Sequence, residues 1–126
     1  MYRHLEGKDE YCCDVVGLYA IMQDNNCAFL CADFDDKNCK YGYKEDVLAY
    51  VGVCREWQIP YAIERSRSGN GAHVWIFFEA PLPASKARRL GNTILTEAMT
   101  HNGQMSFNSY DRFFPNQDYL PEGGFG

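Results

Sequence analysis

Three carboxylates crowd the end of one short apolar run. In Cys27–Asp36, CAFLCADFDD, the run closes on Asp33, Asp35 and Asp36. Residues two apart in a strand share a face. Asp33 and Asp35 are therefore expected on one side, with Phe34 turned the other way into a core. Two neighbouring carboxylates repel unless a positive charge sits between them. A divalent ion that prefers oxygen ligands, Mg²⁺ or Mn²⁺, would satisfy both. An acidic, solvated turn after a buried strand is the other reading of the same ten residues.

The elements that would position these groups follow along the chain. The apolar run 15–22 reads as a strand or edge segment, and QDNN (23–26) as a turn. A first core strand then carries the acids. Residues 44–58 have helical spacing, with Val47, Tyr50, Val51, Cys54 and Trp57 on one face. Glu45 and Asp46 fall in the first turn, where the helix dipole favours negative charge, and Ile59-Pro60 ends the helix. Residues 60–66 and 73–79 read as a hairpin around the glycine-bearing turn 67–72. Val74, Ile76 and Phe78 share one face of it, and His73, Trp75 and Phe77 the other. APLPAS (80–85) breaks the strand and opens a helix over 85–99, with Ala87, Leu90, Ile94, Leu95 and Ala98 at helical spacing. Lys86, Arg88 and Arg89 lie on its outer side, and 105–114 reads as a fourth strand.

Strand–helix–strand–strand–helix–strand is the split βαβ, ferredoxin-like pattern of an α+β domain. Right-handed crossovers then give the strand order 4-1-3-2, with both helices on one face. The acid-bearing strand becomes central. Asp111 on the fourth strand and His73 on the third flank it, so three carboxylates and a histidine converge. Such a set can hold two divalent ions, one activating a hydroxyl and the other neutralising a leaving pyrophosphate. The turn RSRSGNGAH offers the complement. Its glycines let backbone N–H groups approach phosphate oxygens, Arg65 and Arg67 add charge-assisted bonds, and Ser68 adds a hydroxyl. An ordinary hairpin turn is also rich in Ser, Gly and Asn. Arg112 and Gln117, close after Asp111, are placed to touch nucleotide or template. Trp57, Trp75 and most other aromatics are assigned to the core, although Trp75 or Phe77 could stack on a base if the open face is exposed.

With 126 residues, 46% hydrophobic and 15% aromatic, the chain reads as one globular domain. A net charge of −5 argues against a free-standing nucleic-acid binder. Its six cysteines, at 12, 13, 27, 31, 39 and 54, contain no CxxC pair, so zinc is not expected and several read as buried thiols. No signal peptide or membrane-length run occurs, which points to a cytoplasmic, reducing setting with no membrane partner. The chain ends abruptly at GGFG and reads as a fragment or minimal form.

CADFDD, SRSGNGAHVW and SYDRFFPNQD resemble the three motifs of the archaeo-eukaryotic primase superfamily: an acidic strand end, a histidine-bearing motif and a third acidic residue. ERSRSGNGAHVWIFF and SYDRFFPNQDYLPEGGFG look most like the primase domain of TOTE conflict systems and related primase-polymerases. The resemblance runs from about Val16 to Gly126. It implies an RNA-recognition-motif-like catalytic core that joins nucleoside triphosphates on a DNA template or primer with Mg²⁺ or Mn²⁺, in a prokaryotic or mobile-element setting. It would make Asp33, Asp35 and Asp111 the metal carboxylates and bring His73 to the incoming phosphates. Two departures stand out. Many members carry a serine two residues before the histidine, where this chain has Gly71, and Ser68 is the hydroxyl that could take its place. Relatives also tend to carry an upstream cysteine cluster and a downstream helicase. A non-catalytic single-strand-binding module on the same fold, or a metal-dependent nuclease, would use many of the same residues.

Overall fold

The computed structural model describes residues 17–36, 42–101 and 108–124. Six elements follow in order: β1 (Asn26–Asp35), α1 (Tyr43–Glu56), β2 (Ala62–Arg65), β3 (Gly71–Pro83), α2 (Ala84–His101) and β4 (Tyr110–Phe114). The strands form one open antiparallel sheet in the order β2-β3-β1-β4. This is the 4-1-3-2 order expected from the sequence.

Alternation along the strands builds the core. Leu30, Ala32 and Phe34 of β1 and Val74 and Ile76 of β3 are buried together, against Tyr50, Val51 and Cys54 of α1 and Ile94 and Ala98 of α2. The i, i+3, i+4, i+7 spacing of Val47, Tyr50, Val51 and Cys54 puts them all on the buried side of α1. Helix α2 approaches β1 and β4 closely through Gly91. A Cβ there would lie 2.7 Å from the Phe113 ring, so a poor helix former is tolerated for the fit it allows. Cys27, Cys31 and Cys54 are free, buried thiols, and burial pushes Cys31 up to about 12 and Cys54 to about 11. Cys12, Cys13 and Cys39 lie outside the described residues.

Four details differ from the sequence reading. Residues 17–22 form no strand; Ala20 and Ile21 are nonetheless buried. The rest of that run, 15–16, lies outside the described residues. Trp57 is not on the buried face of α1. Gln58 takes a left-handed φ of 57°, and the Gln58 and Ile59 N–H groups donate to Arg55 and Cys54 carbonyls. This double-bonded turn ends the helix and leaves Trp57 38% exposed. β3 runs through Ala80–Pro83 instead of breaking there. β2 pairs only with Ala72–Trp75, so beyond Trp75 one side of β3 is an edge, where a proline's missing N–H costs nothing. Arg88 is not on a solvated helix face but turns toward the segment after β4, where it pairs with Asp118. For the fourth strand the described pairing begins at Tyr110, and 105–107 lie outside the described residues. None of the described helices is long and apolar enough to cross a membrane.

Candidate metal and nucleotide site

β1 delivers Asp33 and Asp35 to the sheet face opposite the helices, one step either side of buried Phe34. Register brings their neighbours. Asp33 stands opposite His73 on β3 and opposite Arg112 on β4. Asp111 arrives by an irregularity. The β1–β4 ladder pairs Asp33 with Arg112 but Phe34 with Tyr110, so Asp111 is the extra residue of a bulge. In an unbroken ladder Asp111 would oppose Phe34 and point into the core; a bulge re-aims it. Carboxylate oxygens of Asp33, Asp35 and Asp111 then all lie within 4.8 Å of one another.

The start of β4 is held from behind. Asp46, buried in α1, accepts hydrogen bonds from the Ser109 hydroxyl (2.5 Å) and the Ser109 N–H (3.3 Å) through one oxygen. The Ser109 carbonyl accepts the Asp35 N–H at 2.8 Å. On the other side of β1, Gly71 is paired with Asp35. A Cβ at Gly71 would fall 2.5 Å from the Phe34 carbonyl oxygen and 2.8 Å from Asp35 Oδ1. Position 71, where the chain departs from the motif that it resembles, has no room for a side chain.

The Asp33 carboxyl is shifted by burial and by the charges around it. It is pushed up by burial first and by Asp35 next. His73 lowers it, Asp111 raises it and Arg112 lowers it again. Asp33 Oδ1 is buried and accepts no hydrogen bond among the described residues. His73 Nε2 stands 3.5 Å from it, beyond good hydrogen-bond length. An orphaned carboxylate oxygen beside two more carboxylates is a hard-oxygen donor set, which fits Mg²⁺ or Mn²⁺.

His73 is oriented by Glu64, a residue the sequence reading passed over. Glu64 lies opposite His73 in the hairpin register. Its Oε2 is 3.1 Å from His73 Nδ1 and accepts the Trp75 indole N–H at 2.9 Å. A carboxylate can only accept, so Nδ1 carries the proton and Nε2 faces the acids. Beyond it, Trp75 and Phe77 stack at 6.0 Å with Phe29 tilted against both.

The other expected residues are distributed as follows. Arg112 joins the cluster, donating from Nε to Asp111 Oδ2 at 2.8 Å. Arg65 does not join it. It pairs with Ala72, which is buried on the helix-side face, and its guanidinium donates to the Gly69 carbonyl at the hairpin turn. Arg67 and Ser68 are exposed in that turn, and Ser68 Oγ lies 3.1 Å from Ser66 Oγ and accepts the Asn70 N–H. The turn is tied to the acidic strand end by the Asp36 N–H, which donates to the Asn70 carbonyl. Gln117 is half-buried in the segment after β4, beside the Asp118 that pairs with Arg88.

No curated protein matches the chain. The family model for the TOTE conflict system, Archaeo-Eukaryotic Primase domain, matches residues 1–126. With that match over the full length, the chain belongs to the archaeo-eukaryotic primase domain family of TOTE conflict systems.

Proposed function

We propose that this chain is the catalytic core of a template-directed nucleotidyltransferase, a DNA primase or primase-polymerase. Its substrates would be nucleoside triphosphates on a DNA template or primer. The family supports the nucleotidyltransferase class. The observation that carries the reading is the buried, unpartnered Asp33 Oδ1 inside a three-carboxylate cluster faced by His73. The element order and 4-1-3-2 sheet support an RNA-recognition-motif-like core.

Asp33, Asp35 and Asp111 would hold one or two Mg²⁺ or Mn²⁺ ions. When bound, such ions supply charge neutralisation and a more acidic attacking hydroxyl. The protein's own part is placement. Glu64 fixes the ring of His73, which would donate to a triphosphate oxygen from Nε2 once that nitrogen is protonated as well. Arg112 partly neutralises Asp111. Arg67, Ser68 and the backbone of the hairpin turn border the same strand end and would meet the outer phosphates, and Gln117 would lie toward the template.

Calorimetric titration of Mn²⁺ with a deoxynucleoside triphosphate into the wild type and Asp33→Ala tests this. Binding by the wild type and its loss in a folded Asp33→Ala are expected. Equal binding by both would remove Asp33 from the site. Exposed Phe77, stacked on half-buried Trp75, favours a second reading, a single-strand-binding module without catalysis. That reading requires Trp75→Ala to abolish DNA binding while metal has no effect on it.

A further inference from the structure

We propose that Asp46 and Ser109 act as a positioning pair that sets the spacing of Asp35 and Asp111. This rests on reading the acid cluster as a metal site. Asp111 owes its place to the bulge at the start of β4, and bulges need something to hold them. Ser109 sits at that point, fully buried, and is held in two directions. Its hydroxyl and N–H donate to Asp46 on α1, and its carbonyl takes the Asp35 N–H. One buried serine therefore links a helix, the end of β1 that carries one carboxylate, and the bulge that carries another. Asp46 never meets the substrate in this arrangement. It fixes Ser109, and Ser109 fixes the two strands relative to each other.

Both bonds to Asp46 end on the same oxygen, Oδ2. An amide oxygen can accept both, so Asp46→Asn should keep the geometry while removing the charge. Asp46→Ala removes the acceptor and leaves the buried Ser109 donors without it. Mutating a group that orients a metal ligand costs about 10–100-fold in metal affinity.

The test is Mn²⁺ titration by calorimetry of the wild type, Asp46→Asn and Asp46→Ala, well below each melting transition, together with amide exchange at Asp35 in metal-free protein. Asp46→Ala is expected to weaken Mn²⁺ binding about tenfold or more and Asp46→Asn to stay close to wild type. The Asp35 N–H should exchange about tenfold faster in Asp46→Ala alone. Leu95→Ala, a core truncation on α2, supplies the destabilised comparison and should leave both readouts unmoved. Equal losses in Asp46→Asn and Asp46→Ala would assign the effect to charge and overturn the proposal, as would unchanged Asp35 exchange in Asp46→Ala. If the wild type fails to bind Mn²⁺ but Asp35 exchange still rises, the pair positions the strands and the metal reading falls. Should Asp46→Ala not fold, Ser109→Ala removes only the hydroxyl donor. Wild-type Mn²⁺ affinity and Asp35 exchange in that variant would overturn the proposal equally.

Discussion

Replacing Gly71 by alanine is expected to damage both the fold and the acid cluster, for a reason that can be worked from distances. The new Cβ would stand 2.5 Å from the Phe34 carbonyl oxygen, where real Cβ contacts essentially never fall below 3.0 Å. At least about 0.5 Å of separation must therefore be made. The obstructing atom is backbone in the ladder and cannot rotate aside, so the end of β1 must move relative to β3. Asp35 Oδ1, 2.8 Å from the same Cβ, must move too. Overpacking of this kind costs about 1–3 kcal/mol. The entropy lost by the unfolded chain on a Gly→Ala change returns about 0.4–1 kcal/mol. The net is roughly 0–2.6 kcal/mol, and at roughly 4 °C per kcal/mol for a domain of this size Tm should fall by up to about 10 °C. Gly52→Ala is the opposite case. It lies exposed in α1 with nothing within 4 Å of its Cβ position, and there alanine should raise stability by about 1 kcal/mol. Thermal melts of both variants and Mn²⁺ titration of Gly71→Ala read the outcome. A Gly71→Ala protein that melts at or above the wild type and binds Mn²⁺ equally would refute the reasoning.

Mn²⁺ affinity should fall on acidification at a higher pH than ordinary aspartates would give, because burial and then Asp35 raise the Asp33 carboxyl; calorimetry across pH 4–7 reads it. Stability of the metal-free protein has the opposite sign. Folded Asp33 keeps a proton that the unfolded chain releases, so its contribution is full below the ordinary aspartate pKa and is lost as pH rises through the raised value. Adding Mn²⁺ after chelation should therefore raise Tm more at pH 7 than at pH 4, and a larger gain at pH 4 would refute the assignment. Glu64→Gln should weaken triphosphate binding several-fold with Mn²⁺ binding retained, since donation from His73 Nε2 while Nδ1–H is held needs both ring nitrogens protonated, and a neutral amide supports that cation less than a carboxylate does; calorimetry with and without nucleotide separates the two. Arg65→Ala should lower Tm by loosening the hairpin turn and leave triphosphate affinity near wild type, because Arg65 stands on the far face of the sheet.

The sequence carried the alternation of Asp33 and Asp35 around Phe34 and the helical spacing of Val47 through Cys54, because each depends on short-range periodicity, and the strand order, because the element order and crossover handedness leave few topologies. What it could not carry was parity across a turn. Arg65 and Glu64 are adjacent, and a one-residue difference in hairpin register exchanges their faces. The observed pairing of Glu64 with His73 and Arg65 with Ala72 puts the carboxylate at the site and the guanidinium behind the sheet. Asp111 was placed by its proximity to the central strand, but its aim depends on a bulge, and nothing local in SYDRFF marks one. Asp46 looked like a first-turn acid satisfied by the helix dipole. Its partner Ser109 lies 63 positions away, so the pairing exists only in the folded chain.

Two aspartates withdrawn from solvent in this fold are treated in opposite ways, and the contrast separates scaffold from site. Burying a carboxylate is costly unless donors meet its oxygens. Asp46 is met twice by Ser109, through a serine with no other visible task than to hold strands together. Asp33 is given an orphaned oxygen and two carboxylate neighbours, with His73 beyond hydrogen-bond length and Arg112 donating to Asp111. A fold that satisfies one buried acid could have satisfied the other, yet Arg112, opposite Asp33 on β4, donates from Nε to Asp111. Instead, Gly71 and the β4 bulge bring further negative charge toward it. Such an arrangement lowers the stability of the metal-free state in proportion to the affinity it offers a divalent cation. The stabilisation that Mn²⁺ confers should accordingly vanish with Asp33→Asn and survive Asp46→Asn. If both variants kept it, the ion would be binding elsewhere on an acidic surface.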